Sequence, residues 1–168
     1  MKSRGLLLAF LLAFPTTAYA APNQPAADIL KIQTLIERFR ASIINKDKVG
    51  FLDLFTQGEV TWQSVETKRH LNGISASPDS DEKGFPTRRK THLTFIDEIV
   101  ASPIRKEEKF RDIQISTDGS IASVFFDYSF HSDGRKVNQG KEAWHLINTG
   151  SSWKIVSVIY SINRTPPP

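Results

Sequence analysis

The chain has no cysteine. Disulfides, thiol nucleophiles, thiolate-bound zinc and iron–sulfur clusters are therefore excluded, although an exported protein could have used disulfides. The four histidines, His70, His92, His131 and His145, are scattered and show no metal-ligand spacing, so no metal site is expected. No glycine-rich phosphate loop, Ser-His-Asp arrangement or catalytic carboxylate-pair motif is present, and no cofactor is implied. Charge of one sign is also scarce. The chain carries +4, and Lys2 and Arg4 account for half of it. Arg88-Arg89-Lys90 is one short basic cluster, which reads as the solvated start of a helix, so no nucleic-acid partner is expected.

Long apolar runs are equally scarce. The longest, residues 5–14, is too short to cross a bilayer. It follows the basic Lys2 and Arg4 and precedes Ala18-Tyr19-Ala20, a small-x-small cleavage site, so residues 1–20 read as a secretory signal peptide. The expectation is a protein exported to the periplasm or medium, beginning near Ala21, with no stable membrane insertion after cleavage. Residues 21–27, rich in Pro and Ala, read as a flexible lead. The remainder is of ordinary single-domain size, and the domain is placed at 28–163, with a Pro-rich tail at 164–168.

What is present is a helical first half and a β second half. Ile29, Ile32, Leu35, Ile36, Phe39 and Ile43 recur at helical spacing, with Asp28 as a candidate cap. Asp47 can cap a shorter helix that buries Phe51, Leu54 and Phe55 and ends at Gln57-Gly58. Residues 60–65 alternate as a strand does, and 67–86 lose all apolar period and read as a long loop. Thr87 is a candidate cap for a third helix, with Leu93, Ile96 and Ile99 inward and a stop at Ser102-Pro103. Strands at 110–115, 121–131, 136–148 and 153–162 then form a meander. Helices first and an antiparallel meander after them argue an α+β fold.

Asp112-Ile113-x-Ile115-Ser116-Thr117-Asp118-Gly119-x-Ile121-Ala122-x-Val124 and Glu142-Ala143-Trp144-His145-Leu146 followed by Trp153-Lys154-Ile155-Val156 carry a resemblance. Over roughly residues 28–163 the chain resembles exported members of the NTF2-like superfamily, in its SnoaL-like and DUF4440-like branch. The resemblance implies a cystatin-like cone, with three N-terminal helices packed on a curved antiparallel sheet. It implies no particular reaction, since this fold hosts isomerases, cyclases, dehydratases, transport factors and binding modules. Many SnoaL-like proteins carry histidines just after Trp-Lys-Ile-Val. Here Ser157 and Ile159 stand in those places.

If Asn148 pairs with Trp153, then Leu146, Trp144 and Glu142 share a face with Ile155, Ser157 and Ile159. Glu142, Trp144, Ser157 and Ile159, with Trp62, are the expected lining of the cone. Glu142 is a candidate buried acid, or else a sheet-margin residue paired with a surface cation. Asp127 is a second candidate carboxylate in one register of its strand and a residue of the sheet back in the other. Trp62, Trp144 and Trp153 suit a pocket for a flat ligand and equally suit a core. With the histidines absent, the leading expectation is a module that binds a small apolar or aromatic molecule without turnover. The alternatives are a SnoaL-like or ketosteroid-isomerase-like enzyme using a pocket carboxylate, and a dimeric protein-interaction domain. A homodimer through the outer sheet face is expected, with Ile121, Phe125 and Ile147 on that side. Polar groups converging on the cone would favour the enzyme, a dry apolar cone the binding module.

Overall fold

The computed structural model describes residues 26–67 and 87–165. The leader, nearly all of the lead, the 68–86 part of the expected loop and Pro166 to Pro168 lie outside the described residues. Helix α1, Ala26–Asn45, turns Ile32, Leu35, Ile36, Phe39 and Ile43 inward at the spacing its sequence dictates. Asp28 lies within its first turn, where it takes Lys31 and the Trp153 indole, and so is not its cap. Asp47 does cap α2, Lys48–Leu52, by accepting from the Gly50 amide at 2.9 Å. That helix stops well before Gln57, because Phe55 bridges to Ile155 and draws the chain into the sheet. Among the described residues no helix is long and apolar enough to cross a membrane.

Strand β1 is Thr61–Glu66 and β2 is Thr87–Arg89. Thr87 is thus a strand residue, and Arg88 and Arg89 do not open a helix. The cap of α3, His92–Ala101, is Thr91, in a reciprocal box with Thr94. Ile96 and Ile99 face inward as expected, but Leu93 is 47% exposed, one position off the apolar stripe. Strands β3 (Lys106–Thr117), β4 (Ile121–Ser132), β5 (Arg135–Asn148) and β6 (Trp153–Arg164) form the meander. Arg164 still belongs to β6, so the tail begins one residue later than expected. The sheet order is β2-β1-β6-β5-β4-β3, antiparallel except for the parallel pair of β1 and β6.

Three bulges bend this sheet, and each moves side chains from one face to the other. In β3 an extra residue between Arg111 and Gln114, with Asp112 in the left-handed region at φ 54°, shifts the inward set from Glu108 and Phe110 to Ile115. In β5 the extra residue is Val137. In β6 it is Val156, between the pairs Leu146↔Ile155 and His145↔Ser157. The narrow half of the cone is filled. Phe39 of α1 packs on Trp144 at 4.7 Å between ring centroids, and Leu146, Ile155 and Trp153 complete a dry core beneath α1.

Candidate functional site

The wide half of the cone is not filled. Between α3 and the inner face of the sheet lies a cavity of about 390 Å³. Its walls are aromatic. Trp62 stands 5.2 Å from Phe95 and 6.0 Å from Tyr160, and Phe95 stands 6.3 Å from Phe130, centroid to centroid. Each wall residue has a simple origin. Trp62 is an even position of β1, whose even residues point inward, Phe95 sits on the cavity side of α3, and Phe130 and Tyr160 are inner-face positions of β4 and β6.

Two carboxyls lie deep in this cavity. Glu142 on β5 and Glu108 on β3 are 3% and 5% exposed, and their carboxyl groups hydrogen-bond each other beside Tyr128. Burial pushes the Glu108 acid well above the ordinary glutamate value, and the charge of Glu142 pushes it further. Burial also raises Glu142, against which the Trp144 indole and the Glu108 acid both donate. The Trp144 bond is 2.7 Å to Oε1. The two acids share a buried site, and burial holds both above the ordinary glutamate value as a pair that titrates as a unit.

Tyrosine hydroxyls border the pair. Tyr128 donates to the Ser161 carbonyl at 2.9 Å, and burial raises its phenol far above the ordinary range. Burial raises Tyr160 as well. The Tyr160 hydroxyl is close enough to Trp62 and Ser64 to feel both, although the Trp62 indole N–H makes no hydrogen bond of good geometry among the described residues. The Asn138 side-chain oxygen, also on the cavity wall, is buried and has no partner among the described residues.

Of the residues expected to line the cone, Glu142 and Trp62 do. Trp144 points to the same face as Glu142 but is wholly buried under Phe39, so it touches the cavity only through the bond it gives Glu142. Ser157 and Ile159 are not on that face. The Val156 bulge pairs them with His145 and Ala143 on the sheet back, where Ile159 is 44% exposed, and puts Val158 and Tyr160 inside instead. Asp127 takes the outward register, against Lys141 and near Arg111, which hold its carboxyl below the usual range. Glu108 was not foreseen. It lies in Lys106-Glu107-Glu108-Lys109, a run that reads as solvated charge, although counting back two from Phe110 puts it on the inner face. No group of three or more potential metal ligands occurs among the described residues.

A six-stranded curved sheet whose concave face carries helices and an acid-lined cavity defines an α+β cone. The fold is the NTF2-like, cystatin-like one. It is similar to a Nostoc punctiforme protein of unknown function with a cystatin-like fold (13% identity, TM-score 0.58, covering 85% of this chain and 96% of that one). It is similar also to an NTF2-like protein with a cystatin-like fold from Novosphingobium aromaticivorans (13%, TM-score 0.56, 82% of each chain). A third is an NTF2-like superfamily protein of Salmonella enterica serovar Typhimurium (18%, TM-score 0.56, covering 84% and 95%). No family model and no curated protein matches the chain.

Proposed function

We propose that the protein binds a small, flat molecule in the wide half of the cone and moves a proton on it, with Glu142 as base and Glu108 as the neutral acid beside it. The observation that carries this is the buried carboxyl pair facing an aromatic-walled cavity. A carboxyl whose ionisation is pushed toward neutrality by burial suits general acid–base work at ordinary pH. Glu142 would take a proton from a carbon next to a carbonyl. Once Glu142 holds that proton it no longer draws on the Glu108 donor, and the acid proton of Glu108 would turn from Glu142 to the oxygen on which charge develops. The same reading supplies a reason for the missing histidines after Trp-Lys-Ile-Val, since the carboxyl pair takes over the protic role. The signal-like residues 1–20 support action outside the cytoplasm.

The test is turnover of a β,γ-unsaturated ketone, followed by the absorbance of the conjugated product. Glu142→Gln should lower the rate by about 10²–10⁴-fold, the usual worth of a positioned acid–base group. A wild-type protein that binds the ketone without converting it would return the cone to a binding module.

A further inference from the structure

Among the described residues three cations line the cavity: Lys90, Lys106 and Arg164. Two of them are matched in charge. Lys90 lies on Glu98 at 2.6 and 2.7 Å, and Arg164 on Glu66 at 2.7 Å. Lys106 differs. Its half-buried side chain gives one hydrogen bond, to the Ser132 hydroxyl at 2.7 Å, and it makes no ion pair among the described residues. An ammonium has three donors and a full charge, and a neutral hydroxyl answers one donor and none of the charge. Lys106 precedes Glu108 by two residues on the same strand, so both lie on one face and line the same cavity.

Two other polar atoms in the wall have no hydrogen bond of good geometry among the described residues. The Trp62 indole N–H is a donor on a residue that is 6% exposed, and the Asn138 side-chain oxygen is an acceptor. Buried polar atoms are rarely left without partners. Here one cation, one donor and one acceptor face the same cavity.

We propose that the ligand of this cone is a flat carboxylic acid, with its carboxylate on the Lys106 ammonium and two further polar groups, a hydroxyl that donates to the Asn138 oxygen and an oxygen that accepts from the Trp62 N–H. The inference rests on the cone being the binding site and adds the ligand's charge to it. A neutral or cationic ligand would leave Lys106 uncompensated. An anion gains a charge-assisted hydrogen bond in a partly desolvated site, where such bonds are strongest. The aromatic walls take the ring, and the carboxyl pair then faces the far end of the bound molecule.

The probe is 2-naphthoate, with neutral 2-naphthamide as its isostere, titrated by calorimetry at low ionic strength. The naphthoate should bind at least about tenfold more tightly than the amide, the worth of one hydrogen bond to a charged group. Lys106→Gln should abolish that preference while leaving the amide unchanged, Lys106→Arg should keep it, and Lys90→Gln, at a cation already matched, should keep it too. Equal affinities, no binding of either compound, or a preference that survives in Lys106→Gln would each overturn the proposal. The catalytic reading fails separately. A naphthoate preference without any ketone turnover removes proton transfer and leaves this inference standing, and turnover with equal affinities does the reverse.

Discussion

The indole N–H of Trp144 donates to Oε1 of Glu142 at 2.7 Å, and both residues are buried. A core aromatic thus reaches the cavity by holding its acid. The bond favours the charged carboxylate and opposes the effect of burial. Trp144→Phe keeps most of the packing against Phe39 and removes the donor. The Glu142 titration, followed by carbon NMR of labelled glutamate, should then move upward by about one pH unit or more, since a hydrogen bond to a charged group is worth about 1.5–3 kcal/mol. A titration that stays in place would mean that the indole bond does not control the acid.

How much of this was legible can be followed along β5 and β6. Pairing Asn148 with Trp153 and Leu146 with Ile155 follows from the turn and the apolar alternation, and it puts Glu142 inside. One residue beyond Ile155, Val156 bulges and every later residue of β6 changes face. Nothing in Val156-Ser157-Val158-Ile159 marks the bulge, because both alternations bury something plausible: Ser157 and Ile159 in one, Val158 and Tyr160 in the other. The inner face of β4 stays open in the sequence, although the face of Phe126 and Tyr128 is the more apolar, and the structure puts that face inside. Glu108 was hidden by its neighbours. The Lys-Glu-Glu-Lys run itself does not mark one glutamate as buried; its only sign is the two-residue spacing from Phe110, and the partner on another strand makes that burial tolerable.

Gly140 should be irreplaceable for a steric reason. A Cβ there would lie 2.0 Å from the Ser161 carbonyl oxygen. At this point the two strands meet through side chains, with Tyr128 donating to that carbonyl and the Lys141 amide donating to the Ser161 hydroxyl. Gly140→Ala must push β5 and β6 apart, and denaturant unfolding should show a loss of about 2 kcal/mol or more. Tyr128→Phe leaves the carbonyl with one donor fewer and should cost about 1–3 kcal/mol. An alanine variant as stable as the parent would mean the strands separate freely there.

The sheet back carries a lateral row, Phe125, Ala143 and Ile159 on adjacent strands, with Phe125 and Ile159 each 44% exposed. Ile121 is more exposed still, and the Asp127–Lys141 pair lies beside the row. The expectation of a homodimer through this face stands as a proposal, motivated by apolar side chains that water would otherwise cover. Sedimentation at micromolar concentration should give twice the chain mass. Ile159→Lys should give the single mass with an unchanged melting temperature. A monomer across that range in the unaltered protein removes the idea.

The carboxyl pair should make the protein less stable as pH rises toward neutrality. Burial raises both acids above the ordinary value of 4.5, Glu142 to about 7, and the repulsion of Glu142 adds to the effect at Glu108. Below about pH 4.5 both states of the chain hold these protons, and nothing is lost. Above it the unfolded chain ionises while the folded one does not, so unfolding releases protons and becomes easier with every step in pH up to the folded values. The slope is at most about 1.4 kcal/mol per pH unit for each group. Glu108→Gln keeps a donor for Glu142 and has no charge to suppress, so its slope should be shallower, and near pH 8 it should equal or exceed the parent in stability. Denaturant unfolding at about pH 5 and about pH 8 decides the matter. If Glu108→Gln loses the same stability at both, the glutamate is required for its own contacts, and the pair is not held at the strained ionisation that acid–base work needs.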